Sequence, residues 1–163
     1  MNDLKLYVSK AEKEIEDGNI RMAEEYLGEA REIFEEMKEK PTKEFKELER
    51  KVYGAEFEEL EKRIKYNTEK YQKEMKESEE PFYVELVSDL ERMEEISEKA
   101  GKQIPPRFYK IYEIASEELL KIPFNKLKIE GLEGISNVPV DLYELGEKWQ
   151  KKYEEKRKEY PWI

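Results

Sequence analysis

Apolar residues recur three or four positions apart along most of this 163-residue chain. The sequence between them is highly polar, since 44% of all residues are charged and only 37% are hydrophobic. This spacing places the apolar side chains on one face of an α-helix and leaves the charged ones to water. A disordered chain of similar composition would not keep so regular a spacing. The pattern therefore predicts an all-α protein whose helices each bury one face.

The first two helices are predicted to form a hairpin. Gly18 and Asn19 separate two apolar stripes, and we expect Asn19 to cap the second helix. Helices joined by so short a turn pack antiparallel, so residues 3–39 predict an N-terminal antiparallel helical hairpin. The stripes consist of Leu4, Val8, Ala11 and Ile15, and then of Ile20, Ala23, Leu27, Ala30, Phe34 and Met37.

Small residues in this hairpin give it a resemblance to a known repeat. Ala23, Leu27 and Ala30, preceded by Ala11 and by the turn at Gly18, resemble one tetratricopeptide unit. The resemblance covers about 34 residues, and a stable array needs at least three such repeats. Because no second copy follows Pro41, we interpret the segment as a generic close-packed hairpin.

A long third helix is predicted to begin after Thr42, which can cap it, and to reach roughly Lys76. Its apolar stripe runs to Ala55 and restarts at Phe57, and this shift in phase predicts a bend or a rotation of the apolar face. Asn67 occupies a stripe position. It is either a polar residue that sets the register of a coiled-coil seam or a solvated residue at the edge of that seam.

The remaining chain predicts two or three further helices and one insert. A fourth helix follows Pro81 and ends at Gly101, a buried fifth helix spans 105–122, and Asp141 caps a last helix. Residues 123–140 read as a short non-helical insert, either an ordered loop or a small β-hairpin. The prediction is thus a five- to six-helix bundle in a single domain, 1–163, with an alternative division into 1–80 and 81–163.

Composition restricts the environment and the partners of the chain. The net charge of −10 repels phosphate backbones and anionic membranes. No segment has the length and apolar character of a membrane span or a signal peptide, so we expect a cytoplasmic protein. Its surface, rich in Lys and Glu, is typical of hyperthermophilic organisms, archaea among them.

The sequence contains few of the residues and motifs on which catalysis commonly depends. It has no histidine and no cysteine, and so lacks the commonest general base, the thiol nucleophile and the preferred ligands of transition metals. It also has no glycine-rich phosphate loop, and its many glutamates select no particular pair. We therefore expect a protein that is not an enzyme, with no catalytic, cofactor-binding or metal-binding residues.

Aromatic and basic residues near the C-terminus are the best functional candidates. Tyr and Trp are enriched where proteins bind one another, which favours an interaction or scaffold protein that binds another protein or a second copy of itself. The alternative is an accessory nucleic-acid-binding protein, because interleaved rings and cations can stack on bases and neutralise phosphates. The candidate interaction residues are Trp149, Lys152, Tyr153, Arg157, Tyr160 and Trp162.

Overall fold

The computed structural model describes residues 2–74, 82–121 and 138–163. Within these ranges the regular structure is entirely helical. The elements are α1 (Asn2–Glu16), α2 (Ile20–Glu36), α3 (Lys43–Glu74), α4 (Phe82–Ala100), a short 3₁₀ helix (Pro106–Tyr109), α5 (Lys110–Lys121) and α6 (Val138–Glu159). None of these helices is both long enough and apolar enough to cross a membrane.

The predicted all-α class is confirmed, together with its hairpin and its long third helix. Helices α1 and α2 pack against each other. The side chain of Thr42 caps α3, since its hydroxyl oxygen accepts a hydrogen bond of 3.2 Å from the main-chain N–H of Phe45. The predicted insert and the proposed boundary at Pro81 lie outside the described residues, except for positions 138–140.

Three predicted helix starts need correction. Helix α6 begins at Val138, so residues 138–140 are helical and Asp141 lies inside the helix. Pro139 is compatible with this start because the first turn does not use its missing N–H. The fifth helix opens as a 3₁₀ turn. Asn19 precedes α2 as expected, but its side chain does not cap it and instead donates a hydrogen bond of 2.8 Å to Glu14.

The chain divides into two compact units. Unit 1 comprises Met1–Arg63 and Arg92–Gln103, and unit 2 comprises Ile64–Glu91 and Ile104–Ile163. The core of unit 1 comes from α1, α2, the first part of α3 and the end of α4. Its alanines at 11, 23 and 30 are fully buried, which lets neighbouring helices approach closely. Phe34 and Phe45 meet edge to face with their ring centroids 5.2 Å apart.

The buried face of α3 is more continuous than its sequence indicates. Tyr53 is buried with 8% of its surface exposed, whereas Ala55 is only half-buried. The stripe therefore passes from Val52 and Tyr53 to Phe57 at helical spacing. The predicted shift in phase is therefore wrong, because it depends on Ala55, and not Tyr53, being the core residue at this point of α3.

The core of unit 2 rests on the packing of α5 against α6. Tyr112, Ala115 and Leu119 of α5 have no exposed surface, and Trp149 and Tyr153 of α6 are also buried. The predicted burial of the fifth helix is thus found on the face that carries Tyr112, Ala115 and Leu119.

Three helices have C-terminal ends that lie in unit 1 and share one conformation. After α1, α2 and α4, a residue with positive φ follows: Gly18 (82°), Lys38 (54°) and Gly101 (64°). In each case the next N–H bonds back to the carbonyl five residues earlier, as in the Schellman motif. Glycine adopts this left-handed conformation without strain, but Lys38 has a Cβ and is strained there.

Replacing Lys38 with glycine should therefore stabilise the protein. We expect Lys38→Gly to raise the free energy of unfolding by about 0.5–1 kcal/mol. Relief of the backbone strain stabilises the folded state by more than the added conformational entropy of glycine stabilises the unfolded state. Thermal and urea denaturation would measure the change. The matched control is Lys40→Gly, two residues away, where φ is negative and we expect no gain.

Candidate functional site

The structure places the predicted interaction residues in very different surroundings within unit 2. Trp149 and Tyr153 are buried against α5, so they serve the core. The Trp149 indole N–H finds no acceptor among the described residues. Lys152 and Tyr160 are half-buried, whereas Arg157 and Trp162 are exposed.

The residues after α6 fold back onto unit 2. The Tyr160 ring stacks on the Tyr109 ring at a centroid distance of 6.3 Å and an interplanar angle of 13°. Trp162 then meets Tyr160 edge to face at 6.0 Å. The Tyr153 hydroxyl donates a hydrogen bond of 3.1 Å to the main-chain carbonyl of Ile163. These contacts hold Trp162 in place while 69% of its surface stays exposed.

Two lysines of α6 lie over tyrosine rings of the preceding helical segment. The Lys152 Nζ is 5.1 Å from the centroid of the Tyr112 ring, and the Lys156 Nζ is 4.6 Å from that of Tyr109. Both distances are within the range of cation–π attraction. The interleaving of cations and aromatic residues in the sequence is thus used, at least in part, for contacts within unit 2.

A second group of chemically notable residues lies in unit 1, around Arg92 of α4. Its guanidinium forms a fork with Glu56 of α3, through Nε at 2.7 Å and Nη2 at 3.1 Å. The same Nη2 lies 3.1 Å from Glu24 of α2, and Nη1 lies 3.1 Å from Glu95. One cation therefore ties three helices together, and we call these four residues the Arg92 cluster.

The two inner carboxylates of the cluster do not ionise alike. Burial, followed by the hydrogen bond with Glu56 and the charge of Glu56, raises the pKa of Glu24 to about 8. The Glu24 Oε1 atom is buried, and no hydrogen-bond donor among the described residues reaches it. A proton on Glu24 resolves this deficit, because the protonated carboxyl can donate to Glu56.

The other members of the cluster keep their charge. Burial opposes ionisation of Glu56, but the hydrogen bonds from Arg92 and Glu24 outweigh it and lower its pKa. The hydrogen bond to Glu56 raises the pKa of Arg92. Nearby, burial and then the charges of Glu24 and Glu49 raise the pKa of Tyr53. At neutral pH the core of the cluster is thus a Glu56–Arg92 ion pair beside a neutral Glu24.

A cavity of about 270 Å³ adjoins the Arg92 cluster. Glu24 and Glu56 line it together with Ile20, Arg21, Glu59, Leu60 and Arg63. Within residues 2–74, 82–121 and 138–163, no group of three acidic residues is placed to hold a metal ion. The geometry of the cluster is that of a hydrogen-bonded tie between helices.

No sequence motif marks the residues of the Arg92 cluster. Glu24 and Arg92 each stand next to a buried stripe residue, Ala23 and Met93, and their stems therefore run along the core. In a chain with 41 acidic residues, that position is a weak signal. Tyr109, on which the Tyr160 ring stacks, lies in the segment 105–122, for which the sequence predicts only a buried helix.

Comparison with known proteins provides no relative for this chain. No protein-family model, no curated protein and no solved structure matches it.

The raised pKa of Glu24 makes the stability of the protein depend on pH. The folded state holds a proton that the unfolded state releases near pH 4.5, so stability is lost as the pH rises from there through about 8. Glu24→Gln mimics the protonated carboxyl and removes this loss. Because Glu24 titrates together with its neighbours, we expect a gain on the order of 2 kcal/mol at pH 9 and almost none at pH 4.

Thermal unfolding of both proteins across this pH range checks the prediction. The matched control is Glu25→Gln, since Glu25 is 57% exposed and forms only a surface ion pair with Arg21 at 3.8 Å. We expect this variant to follow the wild type at every pH. A pH profile of Glu24→Gln that also parallels the wild type would contradict the assigned proton.

Proposed function

We propose that this chain is a non-enzymatic cytoplasmic protein that binds a partner protein, with the side chain of Trp162 as an anchor. One observation carries the proposal: Trp162 combines 69% exposure with a fixed position on the stack of Tyr160 and Tyr109. Tryptophan is among the residues that contribute most to binding at interfaces.

The fixed position of Trp162 supports binding in a further way. A side chain that is already ordered in the free protein loses little conformational entropy when it enters a pocket of a partner. The stack and the hydrogen bond from Tyr153 to Ile163 supply this order before binding. Arg157, exposed on α6, is suited to the polar rim of such an interface.

Affinity capture from a lysate of the source organism tests the proposal. We expect the wild type to retain a stoichiometric protein partner and Trp162→Ala to weaken its binding at least tenfold, since anchor residues contribute about 2 kcal/mol or more. Nuclease treatment should leave the complex intact.

The matched control for this experiment is Tyr66→Ala. Tyr66 is another aromatic residue of unit 2 and is 65% exposed, but no ring contact with another described residue positions it as Trp162 is positioned. We expect this variant to capture the partner like the wild type. Equal losses from both variants, or no loss from Trp162→Ala, would refute the role of Trp162.

Nucleic-acid binding is a second candidate function. The observation that favours it is the end of α6, where the exposed Arg157 accompanies the half-buried ring of Tyr160 and the exposed ring of Trp162, so that cationic and aromatic groups are offered together. Such binding to a single-stranded oligonucleotide should weaken steeply as salt rises and should be lost in Lys152→Glu/Arg157→Glu. Absence of binding at low salt would eliminate this candidate.

A further inference from the structure

Unit 2 contains a groove that is unrelated to the aromatic stack of Trp162. Its volume is about 420 Å³, within the range of pockets that hold small molecules. One turn of α3 forms one wall, with Lys65, Thr68 and Glu69. The 3₁₀ helix and the first turns of α5 form the other wall. We call this feature the basic groove.

The bottom of the basic groove is apolar. Phe108 and Ile111 are buried, with 5% and 6% of their surfaces exposed, and they stand three positions apart on the same face. Ile114, three positions further along, is half-buried and extends this apolar strip. An apolar group that enters the groove would be removed from water at a gain of about 25 cal/mol for each Å² buried.

The rim of the basic groove carries an excess of positive charge. Among the described residues that line the groove, Lys65, Arg107 and Lys110 are exposed cations, and Glu69 is the one carboxylate. The Arg107 guanidinium lies 5.5 Å from the Phe108 ring centroid, so a cation stands directly beside the apolar bottom. This local charge is opposite in sign to the net charge of −10 of the whole chain.

We propose that the basic groove binds an amphiphilic anion, a molecule with one carboxylate or phosphate group and an apolar chain. The apolar bottom selects the chain, and the rim of Lys65, Arg107 and Lys110 selects the negative group. A plain inorganic anion would gain no free energy from contact with the apolar strip, and a neutral apolar molecule would gain none from the positive charge of the rim.

The size of the groove favours a small molecule over an acidic helix of a partner protein. An α-helix with its side chains is roughly 10–12 Å across, so a single turn about 5.4 Å long already has a volume at least as large as that of the groove. An extended alkyl chain is thin enough to lie against Phe108, Ile111 and Ile114. The proposal is independent of Trp162 and of the partner protein proposed above.

Calorimetric titration with laurate below its micellar concentration tests the proposal. We expect saturable binding at one site, and at least tenfold weaker binding to Lys110→Glu. The matched control is Lys151→Glu, an equal change of charge at an exposed position of α6 away from the groove, which should bind laurate like the wild type. Circular dichroism should show that both variants stay folded.

Two further ligands separate the contributions of charge and chain. Dodecyltrimethylammonium has the same alkyl chain with a positive group, and acetate has the same negative group without the chain. We expect neither to bind measurably at the concentration at which laurate saturates the site. Equal binding of laurate and dodecyltrimethylammonium, equal loss in both lysine variants, or no saturable binding of laurate would overturn the proposal.

Sedimentation with lipid vesicles distinguishes an anion that is part of a membrane lipid from one that is free in solution. Phosphatidylcholine vesicles with and without phosphatidylglycerol are sedimented with the protein. Sedimentation that requires phosphatidylglycerol and Lys110 would assign the groove to a lipid headgroup, whereas laurate binding without sedimentation would assign it to a free amphiphile. Binding of an acidic amphipathic peptide through Lys110, with none of laurate, would refute the proposal in favour of a protein ligand.

Discussion

Burial of one narrow apolar face per helix is the main source of folding free energy for this chain. With 44% of its residues charged and no cysteine, it has neither an extensive apolar interior nor disulfides to stabilise it. Each unit therefore depends on close approach of its helices. Fully buried alanines permit this in unit 1, and aromatic residues such as Tyr112 and Trp149 supply large buried surfaces in unit 2. Charged residues that enter these interfaces must bring their partners, as Arg31 and Glu49 do through paired hydrogen bonds.

Much of the fold was predictable because helical periodicity is a local property. The stripe of α2, the stop at Gly18 and the cap at Thr42 can each be read within a few residues, and the structure confirms them. The errors also have local causes. Its apolar character favours Ala55 as a core residue, whereas the structure buries the larger Tyr53 and leaves Ala55 half-buried. Helix α6 begins three residues before Asp141, because Pro139 is tolerated in its first turn although proline usually indicates the end of a helix.

The sites were much less predictable, because they combine residues that are far apart in the sequence. Arg92 meets a carboxylate 36 residues away and another 68 residues away, and no periodicity links the three. The basic groove likewise joins one turn of α3 to the start of α5. At the C-terminus the sequence grouped six residues as interaction candidates but could not separate those that belong to the core from those that are exposed. Trp149 and Tyr153 are core residues, whereas Trp162, thirteen positions beyond Trp149, is exposed.

The discontinuity of unit 1 has a consequence for how the protein is made. Arg92 and the end of α4 belong to this unit, yet residues 64–91 precede them in the chain. A ribosome therefore completes the hairpin and the whole of α3 before it supplies the arginine that ties them together. During that interval Glu24 and Glu56 lack their cation, and the core of the unit is incomplete. Because of this order of synthesis, unit 1 acquires its final stability only after residues 64–91 of unit 2 have been made.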